Sequence, residues 1–397
     1  MEFELTKAQQ NLKQMAHAVA EYTIRPASLE ADTNKGFDDE FLLQLQQMGI
    51  GSGAMGDSAS KKSGGAKQAA DKNLTACIAV EEMAWGDAAL LLALAGPGLG
   101  GPPVRFTGTP EQKERFLAPF KNKDELHWGA YALTEPAAGS DVSGIKTTCV
   151  KDGNHYVLNG TKCYITNGAR ADWNVVFATV DPSLGRAGHR AFVVEKGTPG
   201  FSVGKIEDKM GLRASETAEL VLEDCRVHVD NLLGGEDHYD KKTGFLTAMK
   251  TFDSTRPLVA AMAVGIGRAA YERARDFARE AYMLSRPTPR HAVIRALLGK
   301  TERRLHAARL LTWRAASMSD RGIPNTKEAS MCKAFAAQVA QQATIDAIEV
   351  MGAAGNRHDA LIEKWFRDVK VYDIFEGTGQ IQRVVIAKRL FESIKSF

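Results

Sequence analysis

The chain has 397 residues, 44% of them hydrophobic, which is more than one hydrophobic core usually serves and implies two or three domains. Its net charge of +3 balances 51 basic against 48 acidic residues and gives no basic face of the kind that nucleic acid requires. The five cysteines, Cys77, Cys149, Cys163, Cys225 and Cys332, are scattered and form no Cys-x-x-Cys pair, so neither a disulfide framework nor a metal site is expected, and a reducing cytoplasm fits. The opening "MEFELTKAQQ" lacks the pattern of a signal peptide, and no apolar run reaches the roughly 18 residues of a membrane span.

The first elements read as helices. Thr6 is placed to cap a helix carrying Leu12, Met15 and Val19, with Pro26 expected to end it. Asp38 is placed to cap a second, through Phe41, Leu42, Leu45 and Met48. The Gly/Ser/Lys-rich stretch at 51–67 reads as a mobile loop. A third helix is expected from about Leu74 through "CIAVEEMAWGDAALLLALAG", broken by "GPGLGGPP" at 96–103.

The period then changes. From about Leu126 to Val229 the chain reads as mainly β, with strands at "WNVVFATV", "RAFVVEK" and "ELVLEDCRVHV". Asn159-Gly160 suggests a tight hairpin turn, because both residues tolerate positive φ. Three long helices follow, "PLVAAMAVGIGRAAYERARDFARE", "VIRALLGKTERRLHAARLLTWRAASM" and "KEASMCKAFAAQVAQQATIDAIEVMG". The order is helical, then β, then helical.

Four stretches have residue types suited to chemistry. In "YDIFEGTGQIQR" an apolar helix face, Leu361, Trp365, Phe366, Val369, Tyr372 and Phe375, stops at Glu376. Gly377 suits a left-handed C-terminal turn, and Thr378 suits the cap of a next helix with Ile381, Val385 and Leu390 inward. A carboxylate between helix ends and apolar neighbours has its charged form disfavoured, which makes a useful base near neutral pH. Taken alone, such a Glu is more often simply solvated. In "YALTEPAAGSDVSG" a strand feeds a loop whose Thr134, Ser140 and amides suit carbonyl or phosphate oxygens, though an ordinary turn would look the same. In "CYITNG", Tyr164 and Thr166 fall on one side of a strand and suit a planar heteroaromatic ring; a core Tyr beside a satisfied Thr is the equal alternative. In "FDSTRP", Asp253 and Arg256 stand one helical turn apart, a spacing more common in surface ion pairs.

Together, in the order "TEPAAGSD", "LNGTKCYITNG", "KMGLRASETAEL", "FDSTRP" and "RDVKVYDIFEGTGQIQR", these segments resemble the acyl-CoA dehydrogenase family over nearly the whole chain. The resemblance implies an α+β protein: an N-terminal α-helical domain at 1–125, a middle antiparallel β-barrel domain at 126–240 and a C-terminal four-helix bundle at 241–397. It implies an FAD flavoprotein that oxidises the α,β-bond of an acyl-CoA in fatty acid or amino acid catabolism and passes electrons to an electron-transferring flavoprotein. Glu376 would remove the α-proton, and its backbone N–H would help polarise the thioester carbonyl. Tyr131, Thr134, Gly139, Ser140, Tyr164, Ile165, Thr166, Thr378 and Gln380 would contact FAD, and Ser140, Asp253, Arg256 and Gly377 the acyl-CoA. Some relatives keep the base on the helix at "DSTRP"; Thr255 there cannot serve, which supports Glu376. A homotetramer built as a dimer of dimers, or a homodimer, is expected, without nucleic acid or membrane as partner.

The resemblance is broken in two places. Where the family carries Arg, Phe, Gly and a later Gln for the flavin of a neighbouring subunit, this chain has Ala281, Leu284, Ser285 and Ala292. Where it carries Gln and a Gly-rich turn, this chain has Glu349 and Ala353. Arg286 or Arg290 is expected to replace the missing arginine in part. "GPGLGGPP" also interrupts the helix that lines the acyl tail in relatives. An oxidase, a desulfinating lyase, or a dehydrogenase of a carrier-protein-bound acyl group remain alternatives on this fold; the intact Glu376 and near-neutral charge disfavour a non-catalytic or nucleic-acid-binding relative.

Overall fold

The structure, a computed structural model, describes residues 4–51, 71–240, 244–283 and 290–394, so nearly all of the expected 51–67 loop lies outside the described residues. Helix α1, Lys7–Val19, starts as the sequence predicts: the Thr6 hydroxyl accepts from Gln9 N while the Gln9 side chain accepts from Thr6 N. Pro26 does not end it. The backbone widens into a π turn at Ala20–Ile24, where Arg25 N donates to Ala20 O, and resumes as α2, Arg25–Asn34, with Pro26 in its first turn. Asp38 caps α3, Asp39–Gln47, which buries Leu42 and Leu45 but leaves Met48 exposed.

The expected third helix is two helices, α4 (Lys72–Gly86) and α5 (Ala88–Ala93). Between them Asp87 turns extended and caps α5, accepting from Ala89 N at 2.7 Å and Leu90 N at 3.1 Å. Helix α5 ends at Ala93, just ahead of "GPGLGGPP" as expected, and Pro102 and Pro103 of that stretch open α6, Gly101–Thr107. Gly100 is required there, because a Cβ would stand 2.4 Å from Ala130 O and 2.7 Å from the Trp173 ring. Helix α7, Pro110–Leu117, is capped by Thr109 and leads to the sheet.

Seven strands follow: β1 Gly129–Ala132, β2 Thr148–Asp152, β3 His155–Thr166, β4 Trp173–Thr179, β5 His189–Glu195, β6 Phe201–Ile206 and β7 Thr217–His228. They pair in the order β1-β4-β2-β3-β7-β6, with β5 on β4. The helix–sheet–helix architecture is as expected, but the sheet is mixed and not a wholly antiparallel barrel: β1 and β2 both run parallel to β4. Residues 133–147 carry the chain across β4 before β2 begins, so β1 and β2 flank it in the same direction. Asn159-Gly160 is not a hairpin turn. It lies inside β3 at a register shift, and the hairpin closes instead at Gly153-Asn154. A Cβ on Gly160 would meet Thr147 Oγ1 at 2.5 Å, so the glycine serves close approach.

After the short α8, Asp237–Asp240, the bundle comprises α9 (Gly244–Met283), α10 (Arg290–Asp320), α11 (Thr326–Met351), α12 (Ile362–Val369) and α13 (Gly379–Ile394). Helices α9, α10 and α11 pack on one another, α13 covers α11, and α4 packs on α9. Ile381 and Val385 of α13 are half-buried, whereas Leu390, expected inward, is exposed. A buried polar seam ties the three regions. Lys364 Nζ donates to Asp87 Oδ2 at 2.8 Å and Asp368 Oδ2 at 2.6 Å. Ser28 also donates to Asp87, and Leu212 N donates to Asp368 Oδ1 at 2.6 Å. No helix among the described residues is long and apolar enough to cross a membrane.

Candidate active site

The loop after β1 is fastened to β3 from below. Glu135 is buried and accepts from Lys146 N at 2.6 Å, Thr147 N at 3.0 Å and Lys162 Nζ at 2.7 Å. Lys162, wholly buried on β3, also donates to Leu133 O at 3.2 Å. Cys163 N donates to Thr134 O at 2.9 Å. Burial pushes Lys162 down to about 8 against the pull of Glu135. Burial would raise the Glu135 carboxyl, but Lys162 and the donors around it more than offset this, and it stays below its ordinary value. The pair is therefore ionic at neutral pH, and it sets Thr134 beside the Cys163–Thr166 end of β3.

At that end β3 bulges. The register shifts between Lys162 and Ile165, and Tyr164 takes φ 58°, so Lys162 and Cys163 are both buried while Tyr164 is 65% exposed. Ile165 is buried, with its carbonyl accepting from Gly168 N at 3.1 Å, and Thr166 returns to the half-exposed side. Asn167 anchors the following turn by donating from Nδ2 to Leu92 O at 2.7 Å. Gly139 and Ser140 are exposed on the loop. An exposed aromatic ring held in a left-handed backbone, with Thr134 and Thr166 alongside, fits the planar flavin of FAD.

Glu376 stands on the far side, in the bundle. After α12 the chain narrows to a 3-10 turn, Lys370–Asp373, and buries Trp365, Val369 and Tyr372. The left-handed turn begins one residue earlier than expected: Glu376 has φ 52° and Gly377 φ 88°. A non-glycine residue in that region is strained and must be held by its surroundings. Two helices hold it. Gln382 Nε2 donates to Glu376 O at 3.1 Å and Gly377 O at 3.0 Å, and Lys333 Nζ donates to Gly377 O at 2.7 Å. Thr378 caps α13 as expected, with Ile381 N donating to its hydroxyl at 3.3 Å.

The carboxylate of Glu376 accepts from Thr255 Oγ1 at 2.8 Å. Burial raises the Glu376 carboxyl above its ordinary value, while Thr255, Arg256 and Lys333 pull it back in part. The cause is thus chiefly lost solvent. Tyr131, on β1, is reached by the same field: burial pushes its hydroxyl far up and the Glu376 charge adds to the shift. The sheet's first strand and the bundle's turn accordingly face one site.

Asp253 and Arg256 are not a surface pair. Arg256 Nη1 donates to Asp253 Oδ1 at 3.1 Å with Arg256 buried, and Thr326 Oγ1 donates to Asp253 Oδ2 at 2.6 Å. Pro257, inside α9, leaves the Asp253 carbonyl without its usual helical donor. Gln380 faces solvent in the first turn of α13. Ala281, Ala292, Glu349 and Ala353 are all exposed. Leu284, Ser285 and Arg286 lie outside the described residues, as does the Arg290 side chain.

Four residues that hold these loops in place were not singled out from sequence: Glu135, Lys162, Lys333 and Gln382. The first two lie inside the motifs already noted. Lys333 had a signal of its own, a lone cation on the α11 face that also carries Ala329, Ala336, Ala337 and Ala340, all buried.

Residues 6–124, 130–225 and 242–391 match the N-terminal, middle and C-terminal domains of acyl-CoA dehydrogenase. The chain is 37% identical over 393 residues to "Acyl-CoA dehydrogenase, short-chain specific" of Clostridium acetobutylicum, covering 98% of this chain and 100% of the relative. It is 42% identical over 314 residues to cyclohexane-1-carbonyl-CoA dehydrogenase of Syntrophus aciditrophicus, covering 79% and 80% respectively. The structure of butyryl-CoA dehydrogenase from Megasphaera elsdenii superimposes with a TM-score of 0.86 at 36% identity, covering 98% of this chain and 100% of that one. The chain belongs to the acyl-CoA dehydrogenase family and is an oxidoreductase acting on CH–CH bonds.

Proposed function

We propose that the protein is an FAD-dependent dehydrogenase of a compact acyl-CoA, short-chain or cyclic, whose electrons leave through an electron-transferring flavoprotein. The observation that carries this reading is the Glu376 carboxyl, raised by burial and held by the Thr255 hydroxyl at 2.8 Å on a strained turn. A base with raised proton affinity removes a weakly acidic α-proton more readily than an ordinary carboxylate does. The compact acyl group is suggested by the relatives that act on short-chain and cyclohexane-carbonyl thioesters.

FAD would be held by Tyr131, Thr134, Gly139, Ser140, Tyr164, the Ile165 backbone and Thr166, with Thr378 and Gln380 toward its adenine half. When bound, it supplies the acceptor for the hydride that leaves the β-carbon. Glu376 takes the α-proton, and the electron pair of that C–H bond forms the new double bond. The Glu376 amide and Gly377 would polarise the thioester carbonyl, and Ser140, Asp253 and Arg256 would line the CoA arm. Stabilising the developing enolate lowers the barrier, because that charge is absent from the ground state.

Anaerobic mixing of the purified flavoprotein with a panel of straight, branched and cyclic acyl-CoAs tests the proposal. Bleaching of the flavin and appearance of the enoyl-CoA are expected with a short or cyclic member. If no acyl-CoA bleaches the flavin, the dehydrogenase reading fails.

A further inference from the structure

A lysine on a buried helix face carries a large desolvation penalty, so its retention needs a reason. Lys333 is 1% exposed among the alanines of α11. Its hydrogen bond to Gly377 O, at 2.7 Å, goes to a carbonyl that Gln382 Nε2 already serves at 3.0 Å. Satisfying that carbonyl therefore does not require a cation. What the cation adds is charge, brought to the Glu376 turn from α11.

We propose that Lys333 is the positioning residue of this site: it locks the left-handed Glu376–Gly377 turn against α11 and supplies a buried positive charge facing the Glu376 carboxyl. The proposal rests on Glu376 being the base. Other groups also face this carboxyl. Thr255 and Arg256 do so from α9, and Tyr131 from β1, while Asp373 of the preceding turn faces Lys333 itself. Arg256 is already engaged with Asp253 at 3.1 Å, which leaves Lys333 as the cation whose hydrogen bond is to the catalytic turn itself. Burial pushes Lys333 down to about 8 against the pull of Glu376 and Asp373, so it is largely protonated at neutral pH. Lys333 and Glu376 thus oppose each other's desolvation: each holds the other nearer its charged form.

The test reads the carboxyl directly and needs no substrate. Infrared pH titration of the holoenzyme, with the Glu376→Gln variant subtracted, isolates the Glu376 carboxyl band. Lys333→Met and Lys333→Gln should both move its titration midpoint upward by about one pH unit, the size expected for loss of a nearby opposite charge. Lys333→Arg, which keeps the charge, should hold the wild-type midpoint. Because the Gln variant retains a donor, it carries the test if the Met variant does not fold. An unmoved midpoint in both neutral variants, or an equal shift in Lys333→Arg, overturns the proposal whether or not any acyl-CoA is turned over.

Discussion

Thr255 Oγ1 donates to Glu376 Oε2 across 2.8 Å, joining two residues 121 positions apart. Thr255 occupies the place where the family resemblance puts the base of some relatives, and here its hydroxyl donates to the residue proposed as the base. Thr255→Val keeps the shape and removes the donor. The hydroxyl lowers the Glu376 carboxyl, so its loss raises the proton affinity further. The acidic limb of the pH–rate profile should move to higher pH, with a loss of about 0.5–1.5 kcal/mol in transition-state stabilisation on that limb. An unmoved limb would show that the hydrogen bond does not act on the base.

Glu376→Gln should abolish α-proton removal while leaving fold and flavin content intact, at a rate cost of at least about a hundredfold. Stopped-flow reduction of the flavin by substrate measures it, and near-full activity would place the base elsewhere.

The same variant has a stability signature. Because the folded carboxyl is raised, Glu376 favours folding below its unfolded value and loses that contribution as pH rises through its folded value. Once ionised, Glu376 is therefore a burden on the fold. Glu376→Gln should melt at or above the wild-type temperature at pH 7, with the difference shrinking toward acid. Calorimetry at several pH values checks this, and a wild type that melts higher at pH 7 would contradict it.

The Glu135–Lys162 pair should matter to the flavin without touching it. Lys162→Met leaves a buried carboxylate short of its cation, a change expected to cost about 3–5 kcal/mol. Joint replacement by Glu135→Gln and Lys162→Met should recover much of that loss. Gel filtration followed by flavin absorbance reads the loop directly, because release of Thr134 from Cys163 would free FAD. Full retention in the Lys162→Met variant would detach the pair from flavin binding.

Ala281 is exposed at the end of α9, where the family resemblance leads one to expect an arginine for a neighbouring subunit's flavin. Weak FAD retention in the wild type is expected. Ala281→Arg should tighten binding by about tenfold or more, the worth of one charge-assisted hydrogen bond of roughly 1.5–3 kcal/mol. FAD titration of the apoprotein decides the matter, and equal affinities would mean that other donors already fill the role.

What the sequence determined by itself is what a few neighbouring residues settle among themselves. The Thr6 and Asp38 caps, the short Val- and Phe-rich runs around Val175 and Val193, and the Thr378 cap after Glu376-Gly377 each need only hydrogen bonds or strand-favouring side chains within a handful of positions. The order of these elements, with Tyr164, Thr166 and Glu376 in place, carried the family and the architecture with it. The tertiary structure decided whatever depends on a distant partner. Asp87 breaks a helix because Lys364, 277 positions away, waits for its carboxylate. Gly160 looked like a turn and is a bulge, because Thr147 leaves no room for a Cβ. Asp253 and Arg256 looked like a surface pair, and they are drawn inward by Thr326 and the packing of α9 on α11. Lys333 sits on a buried alanine-rich face of α11, and only the chain's return at Gly377 gives its ammonium a partner there. Burial and charge at long range are set by which surfaces meet, and no local pattern encodes that.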